Sequence, residues 1–110
     1  MVDSASTGLR ECRRYLVVGS VVLRIGQQKI EGELVNVGPG GMLVFCDAAL
    51  SLGERVDVRF TVQDYPLEIP VQGRIVHSAA GLVGIGFLDE PEALDEILLW
   101  LEAGFLACLL

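Results

Sequence analysis

Three arginines fall within five residues near the start of the chain, at Arg10, Arg13 and Arg14. A guanidinium group carries a permanent positive charge and a planar fork of N–H donors, which matches the acceptor atoms of a phosphate or a guanine edge. The chain as a whole is acidic, with 15 acids against 8 bases and a formal net charge of -7. An acidic chain repels nucleic acid and anionic lipid, so we expect no DNA or RNA partner. No stretch is long and apolar enough to span a bilayer, so we also expect no membrane insertion. The local arginine cluster instead predicts capture of a small anion.

A second patch lies 22 residues beyond Arg14, at residues 36–41 with the sequence Asn-Val-Gly-Pro-Gly-Gly. Proline and glycine are typical of a turn. The amide of Asn36 can pair with a base edge, and Gly38 and Gly41 would leave the backbone open to close approach by a ligand. Each patch also has a simpler interpretation, a solvated arm for the arginines and an ordinary turn for the glycines. Their order and spacing together favour a binding site.

Short strands of alternating polarity must position these two patches. Apolar and polar residues alternate with period two around residues 29–34, 55–62 and 67–75, and further strands are predicted at residues 17–25, 42–45 and 82–88. Six short strands with one apolar face each must close on themselves or form a sandwich, and a small antiparallel barrel is the simplest solution for 110 residues. We therefore predict a mainly β domain over residues 10–110, with a barrel at about 15–88 and a flexible arm at residues 1–9.

The pattern becomes helical after the last strand. Asp89 is a typical capping residue, Pro91 suits the first turn, and Glu92 stands three positions after the cap. The apolar residues that follow at helical spacing are Leu94, Ile97, Leu98, Leu101, Phe105 and Cys108. They predict a helix over about residues 91–108. Leu99 and Trp100 widen its apolar surface, so the helix either plugs the barrel or adds a second face for self-association as a homo-oligomer.

The remaining reactive residues do not predict an enzyme or a metal site. Cys12, Cys46 and Cys108 show no metal-ligand spacing, and Cys46 and Cys108 lie among apolar residues as small buried side chains. His77 is the single histidine and shares the inward parity of the 67–75 strand, without a nucleophile or an acid at a telling spacing. The sequence has no secretory or membrane-spanning segment, so a reducing cytoplasm is the expected compartment.

In this order, the two patches resemble the RxxxR and Asp/Asn-x-Ser-x-x-Gly motifs of the PilZ domain, the family of bacterial receptors for cyclic di-GMP. The likeness continues through Gly73-Arg74-Ile75-Val76 and through residues 83–89, and it covers residues 9–105. The resemblance implies a six-stranded barrel with a C-terminal α-helix. It also implies that cyclic di-GMP, as a ligand and not a cofactor, is held between the N-terminal arm and the barrel face.

The resemblance also assigns roles to individual residues. It implies that Arg10 and Arg14 grip guanine edges and phosphates, that Asn36 meets a guanine, and that Gly41 is the terminal glycine of the loop. Arg13 is an additional base that could reach a phosphate. Gly38 stands where the family has serine, so one hydroxyl is missing. The loss of its hydrogen bond is expected to weaken binding by about 0.5–1.5 kcal/mol. The neutral amide of Asn36 is also expected to pair less strongly with guanine N–H donors than a carboxylate does.

The function implied is a receptor that orders its N-terminal arm on binding cyclic di-GMP and signals to a partner protein in motility, biofilm or exopolysaccharide control. The alternative is a degenerate PilZ adaptor that binds a protein partner and no nucleotide. Gly38 and the apolar helix motivate that alternative, whereas the two arginines of the RxxxR motif argue against it.

Overall fold

The computed structural model describes residues 14–109, and the side chains of residues 14–105. In this part of the chain six antiparallel strands close into a barrel in the order β1-β2-β3-β6-β5-β4, and one helix follows. The elements are β1 (Tyr15–Ile25), β2 (Gln28–Val37), β3 (Gly41–Phe45), β4 (Arg55–Val62), β5 (Ile69–Ala79), β6 (Leu82–Phe87) and α1 (Glu92–Leu109). The predicted fold class, a mainly β six-stranded barrel with a C-terminal helix, is confirmed.

The barrel interior is filled by the apolar residues of the alternating pattern. In β4 the inward residues Val56, Val58, Phe60 and Val62 are all buried, while the residues between them point outward. Such alternation places one set of side chains in the core because successive residues of a strand face opposite sides. The buried side chains of the described residues are all apolar, so hydrophobic burial is the main stabilising contribution here.

Helix α1 packs its apolar stripe against this core. Leu94 and Ile97 are fully buried, and Leu98 and Leu101 are partly buried beside them. The predicted packing against the barrel is therefore confirmed for these positions. Phe105 differs, because its side chain remains 48% exposed.

The start of the helix differs from the predicted capping pattern. The carbonyl of Pro91 accepts hydrogen bonds from the N–H groups of Leu94 at 2.9 Å and Asp95 at 3.3 Å, so it opens the helical hydrogen-bond series. The Oδ1 atom of Asp89 instead accepts a hydrogen bond from the backbone N–H of Gln72 at 3.0 Å. Asp89 thus fastens the chain after β6 to β5, and its predicted role as the helix cap is wrong.

Two side chains of the β5 region face differently from the prediction. The pairing of β5 with β6 shifts register between Ile75 and His77, and an inserted residue reverses which side chains face the core. His77 is therefore exposed and not on the inward face. Leu67 is 54% exposed because β5 begins only at Ile69.

Candidate ligand-binding site at the start of the barrel

The pairing of β1 with β2 brings the two sequence patches together. Tyr15 lies opposite Val37 and Leu16 opposite Asn36, so Arg14, immediately before the strand, lies beside the end of β2. The Nη1 group of Arg14 donates a hydrogen bond to Oδ1 of Asn36 at 3.2 Å. Two residues that are 22 positions apart in sequence thus form one polar group at the barrel surface.

Irregular pairing surrounds Asn36 on both sides. The register shifts between Leu16 and Gly19 in the β1–β2 ladder, and between Leu34 and Asn36 in the β2–β3 ladder. β-Bulges redirect side chains and are frequent next to functional sites. They explain why Asn36 is half-buried at a strand end and still reaches the guanidinium of Arg14.

The loop from β2 to β3 is fastened by its own backbone. The N–H of Gly38 donates to the carbonyl of Gly41 at 2.9 Å, and the N–H of Phe87 donates to the carbonyl of Gly40 at 2.9 Å. Gly38 is buried, and its N–H is already used within the loop. The expected opening of the backbone at Gly38 to a ligand is therefore not found.

Gly41 is a glycine because of the neighbouring strand. A Cβ atom at this position would lie 2.2 Å from the carbonyl oxygen of Ile85 in β6, which is far inside the van der Waals distance. A Cβ at Gly40 would meet nothing within 4 Å. Gly41 is buried and shapes the β3–β6 contact that supports the loop, so the open backbone expected at Gly41 is not found either.

The polar group that remains for a ligand consists of Arg14 and Asn36. Among the described residues the guanidinium of Arg14 has no carboxylate partner, and only one of its five N–H donors is engaged. Arg10 and Arg13 lie outside the described residues. The described part of the candidate site is therefore its barrel side, formed by Arg14 and Asn36.

The C-terminal helix lies close to this site. The hydroxyl of Tyr15, the residue after Arg14, donates a hydrogen bond to Oε1 of Glu102 in α1 at 3.2 Å. In the same helix, the ring of Trp100 packs on Tyr65 with 5.0 Å between ring centroids. Tyr15 thus links the strand that follows Arg14 to α1.

The sequence patterns did not single out a second group of arginines. Arg24 and Arg55 line a cavity of about 330 Å³ together with Asp57 and Gln72. Arg24 lies directly opposite Asp57, and the Nη2 group of Arg55 donates to Oε1 of Gln72 at 3.2 Å. The outward parity of these residues is visible in the sequence, but their convergence depends on the β1–β4 register. Asp57 offsets part of the positive charge in this cavity.

The described residues offer no metal centre. No group of three or more His, Cys, Asp or Glu in this part of the chain could hold a metal ion. Cys46 is buried as predicted, and burial together with the neighbouring Asp47 raises the pKa of its thiol. The side chains of Cys12 and Cys108 lie outside the described residues. Among the described residues, no helix has both the length and the apolar character needed to cross a membrane.

Comparison with known proteins gives one family. A family model described as PilZ domain matches residues 9–103. No curated protein sequence matches the chain. A crystal structure of the PilZ domain of CeSA from a cellulose-synthesizing bacterium is 18% identical with a TM-score of 0.63, over 84% of this chain and 97% of that one. The PilZ domain of YcgR from Escherichia coli, solved with c-di-GMP, is 13% identical with a TM-score of 0.64, over 84% and 90% of the two chains.

Proposed function

The chain belongs to the PilZ domain family, and from that membership we propose that it is a cytoplasmic receptor for cyclic di-GMP. PilZ domains are receptor or adaptor domains and not enzymes. The observation that carries the proposal is the hydrogen bond between Arg14 and Asn36, which joins the RxxxR arginine to the loop motif. The structurally similar PilZ domain of YcgR, which was solved with c-di-GMP, supports the choice of ligand.

The chemistry of the ligand suits this polar group. Cyclic di-GMP carries two phosphates and two guanines, and each guanine presents O6 and N7 as adjacent acceptors. Hydrogen bonds from a charged donor contribute about 1.5–3 kcal/mol each, which is more than a neutral pair contributes. In the proposed complex Arg14 and Asn36 contact the ligand from the barrel, and Arg10 and Arg13 contact it from the N-terminal arm. Gly38 and Gly41 shape the loop beneath it.

The proposal is tested by isothermal titration calorimetry of the wild-type protein with cyclic di-GMP, with GTP and cyclic di-AMP as controls. We expect selective binding with a micromolar or lower Kd. A folded protein that releases no heat up to high micromolar cyclic di-GMP would show that the site does not bind this ligand. Gly38 in the serine position would then be the first residue to revert.

We further propose that binding is passed to a partner protein through α1, with motility, biofilm or exopolysaccharide control as the output. The route is the hydrogen bond from Tyr15 to Glu102, since Tyr15 follows Arg14 directly and Glu102 lies in the helix. Ordering of the N-terminal arm over the barrel would move Arg14 and, through this bond, bias the position of α1. The exposed side chains of Leu99 and Trp100 would then present a different surface to the partner.

This route predicts a change in the fluorescence of Trp100, the single tryptophan of the chain. Cyclic di-GMP should shift its emission in the wild type, because Trp100 packs on Tyr65 and follows the helix. Tyr15→Phe removes only the hydroxyl, which bonds the Glu102 carboxylate and not the ligand, so it should bind the ligand within about threefold of wild type yet lose most of the shift. Arg14→Ala at the same ligand concentration corrects for absorption by the nucleotide. A full emission shift in Tyr15→Phe would contradict the route.

A second candidate is a PilZ adaptor that binds a protein and no nucleotide. The exposed apolar side chains of α1 favour it, since Leu99, Trp100 and Phe105 are 61%, 40% and 48% exposed. The same surface could join two copies of the chain. Equal recovery of a partner by the wild type and by the Arg10→Ala, Arg14→Ala variant, with and without cyclic di-GMP, would support the adaptor.

A further inference from the structure

We propose that two copies of the chain associate through a pair of oppositely charged surfaces that lie side by side on the barrel. The first surface, the basic face, consists of four exposed side chains: Arg24, Lys29, Arg55 and Arg74. The second, the acidic segment, is residues 89–96. The basic face of each copy contacts the acidic segment of the other. Neither surface includes Arg14 or Asn36, so the inference is independent of the proposed function.

The basic face is assembled by the strand registers. Lys29 of β2 lies opposite Arg24 of β1, and Arg55 of β4 lies opposite Arg74 of β5. Neighbouring strands are about 4.8 Å apart, so these long side chains share one stretch of surface. Arg24 and Arg55 also line the same cavity of about 330 Å³. A chain with a net charge of -7 thus gathers four of its bases on one side of the barrel.

Two arginines of the basic face are held by neutral acceptors. The Nη2 group of Arg55 donates to Oε1 of Gln72 at 3.2 Å, and the Nη1 group of Arg74 donates to the carbonyl oxygen of Gly53 at 2.7 Å. These hydrogen bonds position the guanidinium groups and leave their positive charges uncompensated.

Asp57 lies among the bases without neutralising them. It is directly opposite Arg24 in the β1–β4 register, yet no ion pair joins the two side chains. Arg59, the next outward residue of β4, does form an ion pair, with Glu68 at 3.4 Å, and is therefore not counted in the basic face. Four bases against Asp57 leave a clear positive excess.

The acidic segment follows β6 and begins α1. Its sequence is Asp-Glu-Pro-Glu-Ala-Leu-Asp-Glu, which holds five acids and no base, and all five acids are exposed. Within residues 14–105, none of these carboxylates forms an ion pair. Glu92 and Glu96 are four residues apart in the helix, so they lie on the same side of it. The segment therefore presents a row of uncompensated negative charges.

Gln72 joins the two surfaces. Its amide oxygen accepts the hydrogen bond from Arg55, and its backbone N–H donates to Oδ1 of Asp89 at 3.0 Å. A twofold axis that passes between adjacent patches of opposite sign places each patch against the opposite patch of the second copy. One dimer then forms both contacts at once, so the combined surface is self-complementary.

The net charge of -7 opposes this association mainly at long range. Salt screens exposed charges that are more than about 8 Å apart at physiological ionic strength, whereas the paired charges of an interface are closer. Exposed ion pairs contribute little singly, so several must form together. The dimer is therefore expected to be weak and sensitive to salt.

The test is sedimentation equilibrium of the wild type and of two charge-reversed variants, each checked for folding by its melting temperature. Arg24→Glu with Arg55→Glu reverses the basic face, and Glu92→Arg with Glu96→Arg reverses the acidic segment. We expect a wild-type dimer at about 50 mM NaCl whose Kd rises at least about tenfold at about 500 mM NaCl. Each variant alone should be a monomer, and an equimolar mixture of the two should restore the dimer.

The mixture is the matched control, because the two variants change the net charge by equal and opposite amounts. The variant of the acidic segment is less negative than wild type, so stronger association by it would show that overall charge governs and would overturn the proposal. A dimer that survives high salt and both reversals would also overturn it, since the contact would lie elsewhere, as on the exposed Leu99 and Trp100.

Two further results would contradict the twofold arrangement. One is a wild type that remains a monomer up to high micromolar concentration in low salt. The other is a mass that keeps rising past the dimer, which indicates an open head-to-tail chain. The salt series on the wild type needs no substitution, so it tests the proposal even if a variant does not fold.

Discussion

Arg14→Ala is expected to weaken the binding of cyclic di-GMP at least tenfold while leaving the barrel folded. The substitution removes a charged donor that contributes about 1.5–3 kcal/mol to each hydrogen bond it makes, and 1.4 kcal/mol corresponds to tenfold in Kd. It also removes the hydrogen bond that Oδ1 of Asn36 accepts. Because Arg14 is exposed and precedes β1, the melting temperature should change little. Calorimetric titration with cyclic di-GMP measures the effect.

Arg24→Ala is the matched control for this experiment. Arg24 is also exposed and its loss changes the net charge equally, but it lies in β1 ten residues beyond Arg14, roughly 30 Å along an extended strand. Its Kd should remain within about twofold of wild type, since sites this far apart are nearly independent. If both variants lose affinity equally, net charge and not the site governs binding. If neither loses affinity, Arg14 is not part of the site.

The barrel could be predicted from the sequence because the alternation of apolar and polar residues in its strands indicates which side chains point inward. Val56, Val58 and Phe60 alternate with polar residues, and strict period two leaves only one way to bury them. The helix was predictable for the same reason, since Leu94 and Ile97 lie at the spacing that forms one helical face. Local periodicity determines which side chains meet the core.

Features that depend on pairing between distant segments were not predictable. The β5–β6 register shift that exposes His77 leaves no mark on the alternation of β5 itself. Asp89 has the residue type of a helix cap, and only the proximity of Gln72 shows that its carboxylate is used elsewhere. Arg24 and Asp57 meet because β1 pairs with β4. Each is a non-local contact that the adjoining sequence does not encode.

The candidate site combines both kinds of information. The residue types of Arg14 and Asn36, with the order of their motifs, were sufficient to predict that they belong together. The hydrogen bond that joins them required the geometry. Gly41 shows the same division, because its type predicted a close approach but the approaching group is Ile85 and not a ligand.

Gly41→Ala is expected to destabilise the protein by about 3 kcal/mol, the upper end of the usual range for overpacking. The new Cβ would lie 2.2 Å from the carbonyl oxygen of Ile85, so β3 and β6 must move apart where they are hydrogen-bonded. Backbone cannot give way as the end of a flexible side chain can. The melting temperature followed by circular dichroism should fall by roughly 10 °C or more. Binding of cyclic di-GMP should weaken as well, because β3 also pairs with the strand that carries Asn36.

Gly40→Ala is the control that separates this steric clash from a general destabilisation by any side chain in the loop. A Cβ at Gly40 meets nothing within 4 Å, and the left-handed glycines of the described residues are Gly26, Gly53 and Gly81. Gly40→Ala should therefore lie within about 0.5 kcal/mol of wild type, as is usual for exposed positions. If Gly40→Ala and Gly41→Ala have the same melting temperature, the contact with Ile85 is not what requires glycine at position 41. If only Gly41→Ala melts early, the last glycine of the motif is needed to close the barrel beneath the ligand, and its part in binding is indirect.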